Sequence, residues 1–160
     1  MALDHDHFMG VALELSRQAA AEGNRPLGSL IVDRNGEIVV QGGNQVYSEV
    51  DPTAHGEMVV IRKAATKLNT VDLSGCTLYT AMEPCPMCCW AILEANVSRL
   101  VLGGRHAGIG RKDIGGYSVE TLLKLTGRSL ELVTGVRQQE CQDLRLAWIA
   151  ERAKRGLGPR

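Results

Sequence analysis

The stretch from residue 51 to residue 90 limits this chain more than any other. It opens on DPTAHGEM and closes on MEPCPMCCW, so His55 and Glu57 stand two residues apart and Cys85 and Cys88 three apart. One imidazole and two thiolates form a donor set of the nitrogen and sulfur types that Zn²⁺ favours. Three protein ligands leave the fourth tetrahedral position to water, which marks a catalytic zinc rather than a closed structural one. Glu57 is left over beside that water as a proton carrier, and one zinc per subunit is expected. Two plainer readings compete. A bare CxxC suits a thioredoxin-like redox pair, which needs no HxE upstream. A structural zinc needs a fourth ligand, for which His106 and Cys89 are the candidates; Cys89, next to Cys88 in an expected helix, should point elsewhere.

Hydropathy spacing lays out the remainder. Phe8, Val11, Ala12, Leu15 and Ala19 fall on one stripe, so residues 4–22 read as a helix stopped by Gly23-Asn24. His5 and His7 are expected to be solvated there. Residues 27–32 and 37–41 read as strands, and the Asn35-Gly36 step between them signals an antiparallel hairpin. Gly28 opens the first strand, where a missing side chain would let a ligand approach the backbone. Asp51 and Thr53 are candidate caps for a helix at 54–68 that places His55 and Glu57 in its first turn. Positions two apart do not share a helix face, so Glu57 must curl back beside the metal, as suits a non-ligand.

After a loop at 69–75, residues 76–80 read as a strand and 86–95 as a helix with Pro86 at its first position. Cys85 and Cys88 then sit at a helix N-terminus, whose dipole favours thiolate. Met87, Cys89, Trp90, Ala91, Ile92 and Leu93 leave that helix apolar on nearly all sides, so burial all round is expected, part of it from a second subunit. Residues 99–103 read as a strand parallel to 76–80 through a right-handed crossover. A glycine-rich loop at 104–116, a short helix at 119–125, a strand at 130–136 and a last helix at 138–155 follow.

These elements make an α/β fold: a three-layer α/β/α sandwich with a five-stranded mixed sheet, one domain over residues 1–155 and a frayed tail at 156–160. Both ligand sets fall at helix N-termini, and the cysteine pair follows the C-terminal end of a strand, where open α/β sheets place ligands. Five cysteines, an odd number with two adjacent, make no disulfide framework and point to a reducing cytoplasm. No apolar run approaches a membrane span, and two Asp and two His follow Met1 where a signal peptide would be apolar.

The paired motif, His55-Gly56-Glu57 with Pro84-Cys85-Pro86-Met87-Cys88, is similar to the H-x-E and P-C-x-x-C signature of zinc deaminases. On it the chain resembles the cytidine deaminase superfamily, over residues 8–154. Within that superfamily it looks closest to the branch of tRNA adenosine deaminases, bacterial guanine deaminases and fungal cytosine deaminases. The resemblance implies a homodimer and a substrate-binding Asn after the second strand. Asn44 stands there and offers both a donor and an acceptor to a ring edge, against the plainer role of a turn residue. Gly56 and Pro84, inside the motif, are expected beside the substrate with it. In such a site zinc lowers the pKa of its bound water toward about 7. Glu57 carries the water proton to a ring nitrogen and then helps protonate the leaving ammonia.

Substrate class is read from charge and aromatics. Residues 141–160 hold Arg145, Arg152, Lys154, Arg155 and Arg160 against Asp143 and Glu151. A single-stranded anticodon loop calls for such charge together with stacking platforms. Yet aromatics are only 4% of the chain, and 18 Lys plus Arg balance 18 Asp plus Glu, so no global field draws it to nucleic acid. Where the resembled tRNA enzymes carry an F-G-A-x-D-x-K run, this chain has LGGRHAGIGRKDIGGYS. The expectation is therefore a free nucleobase substrate, guanine- or cytosine-like, with Trp148 and Glu151 as late candidates to close the pocket. The alternative is a tRNA-specific adenosine deaminase acting on the anticodon loop. A zinc scaffold without catalysis is a third reading, set against an intact Glu57.

Overall fold

Alternation along three central strands, β1 (Gly28–Val32), β3 (Thr77–Met82) and β4 (Arg99–Gly104), builds two cores on one sheet. Leu30, Val32, Tyr79 and Val101 face one side, where they pack with Phe8, Met9, Ala12 and Leu13 of α1 (His5–Ala21) and Cys141 of α5 (Gln138–Lys154). Ile31, Leu78, Leu100 and Leu102 face the other. There they meet Val60 and Ala64 of α2 (Gly56–Leu68), Cys89 and Ile92 of α3 (Pro86–Glu94) and Val119 of α4 (Val119–Thr126). Each such side chain, once buried, contributes about 1.5–3 kcal/mol. The result is the expected three-layer α/β/α sandwich, described by a computed structural model over residues 2–159.

With β2 (Ile38–Gly43) and β5 (Glu131–Val133) the sheet runs in the order β2-β1-β3-β4-β5. β1 pairs antiparallel with both β2 and β3, while β3, β4 and β5 run parallel. The Asn35-Gly36 turn forms as its residues require: Gly36 takes φ +85°, and Asp33 Oδ1 accepts from the N–H groups of Asn35 and Glu37 at 2.8 and 3.0 Å.

Several local expectations fail for identifiable reasons. Gly28 makes room for α1 and not for a ligand, because a Cβ there would collide with the Ala12 carbonyl and come within 2.7 Å of Ser16 N. His5 is not solvated; its Nδ1 lies 2.8 Å from Tyr79 Oη, whereas His7 is exposed. The fifth strand stops at Val133 because the chain turns through positive φ at Gly135 and Arg137 to enter α5. Within one chain helix α3 leaves Trp90 42% exposed, the part of its burial expected from a second subunit. The tail does not fray over its described residues: Arg152 Nε donates to the Gly158 carbonyl at 2.8 Å and Arg145 Nη2 to the Pro159 carbonyl at 3.1 Å. Arg160, counted with the basic end, lies outside the described residues.

Candidate active site

Two helix starts meet over the sheet. His55 is the N-cap of α2, but its side chain caps nothing, which leaves the imidazole free to turn toward α3. Cys85 is the N-cap of α3, with Pro86 at the first helical position and Cys88 one turn on. His55 Nδ1 lies 3.5 Å from Cys85 Sγ and 3.5 Å from Cys88 Sγ, and all three donor atoms fall within 4.8 Å of one another. Metal bonds of about 2.3 Å to sulfur and 2.0–2.1 Å to nitrogen, at a tetrahedral angle, put N and S about 3.6 Å apart. The donors therefore fit zinc in both type and spacing. Neither candidate for a fourth ligand joins them. Cys89 is packed in the core between α3 and the sheet, and His106 Nε2 lies 3.4 Å from the Pro84 carbonyl. All five cysteines are free thiols.

The site holds its charge ready. The Cys85 thiol is lowered to about 4, chiefly by its hydrogen bond with Cys88 and then by His55. Cys88 is pushed up by that same interaction, so the pair keeps one proton between them, which metal binding would release. Glu57, at the second position of α2, is 5% exposed, and Thr80 Oγ1 lies 3.2 Å from its Oε1. Burial raises the Glu57 carboxyl above its ordinary value, and the neighbouring Cys85 thiolate raises it further. A carboxyl so raised takes up a proton more readily than a surface glutamate does, as a proton shuttle needs.

A residue the sequence reading missed holds the assembly together. Glu83, 3% exposed, accepts from the N–H groups of His106 and Val119 at 3.0 Å each and pairs with Arg105 Nε at 3.2 Å. It thereby ties the loop after β4 and the start of α4 to the entry of α3. The only signal for it was an acidic residue between the apolar end of β3 and Pro84.

A cavity of about 530 Å³ opens over His55, Glu57 and Cys85. His106 lines it; burial lowers its pKa, and its Nδ1 is buried without a partner. Ile109, Leu146 and Ile149 add apolar wall, and Arg25, Arg111, Lys112 and Arg145 line it together with Glu57, Glu83 and Asp113, the last of which pairs with Arg111. Of the predicted substrate residues, Asn44, Gly56 and Pro84 are not among the lining side chains. Asn44 does act in the turn, its Oδ1 accepting from Val46 N at 3.2 Å, yet its Nδ2 is buried without a partner. Trp148 and Glu151 do not close the pocket: Glu151 is exposed and paired with Lys154, and Trp148 stacks between Arg145 and Arg152. Arg145, Leu146, Ile149 and Pro159 close it instead. Leu146 and Ile149 lie three apart on α5, and Arg145 sits one residue before Leu146, a face a helical count from Trp148 would have reached.

A three-layer sandwich with an open N/S₂ site at two helix N-termini and a buried glutamate beside it defines the class of zinc-dependent hydrolytic deaminases. Residues 3–104 match the family described as the cytidine and deoxycytidylate deaminase zinc-binding region, and the chain belongs to that family. It is 33% identical over 153 residues to the tRNA-specific adenosine deaminase of Bacillus subtilis, covering 92% of this chain and 90% of that one. It is 38% identical over 135 residues to a tRNA(Ile)-lysidine synthase of Deinococcus deserti, of which it spans only 25%. Among solved structures, one from a study of A-to-I editing by tRNA:A34 deaminases superposes with a TM-score of 0.74 at 31% identity, over 86% of this chain and 98% of that one. The guanine deaminase of Nitrosomonas europaea superposes with a TM-score of 0.82 at 27% identity, over 92% and 86%. The expectation of a free-nucleobase substrate is overturned here, because curated relatives matched along most of their length carry the name tRNA-specific adenosine deaminase.

Proposed function

We propose that this chain deaminates an adenosine in the anticodon loop of a tRNA, giving inosine. The near end-to-end alignment with the Bacillus subtilis tRNA-specific adenosine deaminase carries the reading. Arg25 and Arg145, which line the cavity with no carboxylate partner among the described residues, support it, since such cations suit an anionic polymer better than a neutral base. We assign the zinc to His55, Cys85 and Cys88, and the metal supplies a water whose pKa falls toward about 7.

The rest is work for the chain's own residues. The target base leaves its stack and enters the cavity. Glu57 takes a proton from the water and delivers it to the ring nitrogen next to the amino-bearing carbon. The water oxygen bonds to that carbon as a hydroxyl; Glu57 then takes the hydroxyl proton and passes it to the amino group, so that the C–N bond breaks, ammonia leaves and the ring carbonyl forms. Asn44, through its unpartnered Nδ2, and the backbone at Gly56 and Pro84 orient the ring. We place this chemistry in one domain at residues 1–155, acting as a homodimer in the cytoplasm. No helix among the described residues is long and apolar enough to cross a membrane.

Incubation with an anticodon stem-loop carrying adenosine at the wobble position should yield inosine, read by nuclease digestion and chromatography. Ammonia release from free guanine or cytosine, with none from the stem-loop, would overturn the assignment.

A further inference from the structure

Two arginines that line the zinc cavity, Arg25 and Arg145, and a third beyond it, Arg152, share ring contacts and have no acidic partner among the described residues. Several other arginines hold carboxylates: Arg99 pairs with Glu131, Arg105 with Glu83 and Glu120, Arg137 with Glu140. Among the described residues Arg25, Arg145 and Arg152 form no ion pair with a carboxylate. They are bound instead into a ladder of cations and rings. Arg145 lies 4.6 Å from the Trp148 ring centre and Arg152 4.8 Å from the same ring; Arg152 and Arg25 lie 5.5 and 5.6 Å from that of Tyr47. Ring faces steady guanidinium planes but supply no counter-charge.

The ladder is unfinished where it meets the cavity. Arg145 is only 9% exposed, its Nη1 is buried with no partner, and Nε of Arg25 is in the same state. Both side chains line the cavity beside His55 and Glu57. Burial, with the charges of Arg25 and Arg111 next, pulls Arg145 down to about 10, the mark of a cation lacking an anion. Arg25 Nη1 approaches His55 Nε2 at 3.3 Å, but an imidazole that gives Nδ1 to a metal keeps its hydrogen on Nε2 and cannot accept there. Two oxygens already occupy the outer rungs: the carbonyl of Gly158 accepts from Arg152 at 2.8 Å and that of Pro159 from Arg145 at 3.1 Å. They are neutral acceptors where an anionic oxygen would bind more strongly.

We propose that Arg145 and Arg152, braced on Trp148 and continued through Tyr47 to Arg25, form a phosphate subsite for the single-stranded polynucleotide whose base enters the zinc cavity, the tail carbonyls standing in for phosphate oxygens. The guanidinium fork matches phosphate geometry, and the ring between two guanidinium groups holds them in place for it. This rests on the tRNA reading, which supplies the polymer.

The test is fluorescence anisotropy of a labelled single-stranded pentanucleotide RNA on zinc-loaded protein, across a salt series. Arg145→Gln and Arg152→Gln should each weaken binding about tenfold and flatten the dependence of log K on log salt by about 0.7 for each phosphate no longer neutralised. Arg155→Gln, an exposed cation on the next turn, should change affinity less than about twofold. Unchanged affinity and slope in both Arg145→Gln and Arg152→Gln would overturn the subsite. Displacement of the RNA by adenosine monophosphate at equal concentration would also overturn it, by making the site one for a mononucleotide. The readout is independent of turnover. Wild-type binding that depends on Arg145 without inosine formation removes the reaction and keeps the subsite; inosine formation with no dependence of binding on either arginine does the reverse.

Discussion

Glu57 and Asn44 differ in surroundings, and the difference separates their tasks. Glu57 is buried and raised in pKa beside a thiolate, whereas Asn44 spends its oxygen on Val46 N and keeps one free amide nitrogen. Glu57→Gln preserves shape and should keep one zinc per chain by metal analysis, yet turn over roughly 10²–10⁴-fold more slowly. Asn44→Ala should lose about 1–3 kcal/mol in kcat/KM, with part of the loss in KM. Near-wild-type turnover by zinc-loaded Glu57→Gln would mean that another group moves the proton. At this scale the sequence was most readable where chemistry dictates residue type: only certain donors bind zinc, so His55, Cys85 and Cys88 announce themselves. Arg145 was noticed only as one charge in a basic end. What distinguishes it is the absence of a carboxylate around it, and a missing neighbour leaves no trace in a linear sequence.

Elements were legible where local rules set them. The Asn35-Gly36 hairpin and Pro86 at the start of α3 each follow from backbone preference. The length of β5 was not, because Thr134 and Val136 suit a strand and only the turn at Gly135 and Arg137 into α5 cut them off. Nor was the joint at Glu83, whose partners come from Arg105, His106 and Val119, at least 22 residues downstream. Removing that carboxylate strands two buried backbone donors and takes from Arg105 one of its two carboxylate partners. Glu83→Ala should therefore destabilise the fold by about 3–5 kcal/mol, read as a lower urea midpoint at unchanged slope. A loss below about 1 kcal/mol would show that water replaces the carboxylate at little cost.

For the whole molecule, averages misled where distribution decided. A net charge of zero and 4% aromatics argued against RNA, but Arg25 and Arg145 line the cavity with no carboxylate partner among the described residues, and Tyr47 and Trp148 lie against them. Assembly can be read from the opposite side of the site. Trp90 is 42% exposed on α3 with Met87 and Ala91 half-buried beside it, and a second copy laid over that face would finish the burial the helix composition calls for. Light scattering at micromolar concentration should report twice 17.3 kDa, and Trp90→Glu should shift the particle toward the single-chain mass. A wild-type mass of 17.3 kDa would rule the dimer out. The sheet itself is closed to such pairing. At one border Lys67 Nζ donates to the Val39 carbonyl of β2 at 2.7 Å, and at the other β5 has three residues and carries the exposed Glu131. Short, charged and partly capped borders give a stray strand nothing to extend, so crowding the folded chain should not seed fibres along its sheet.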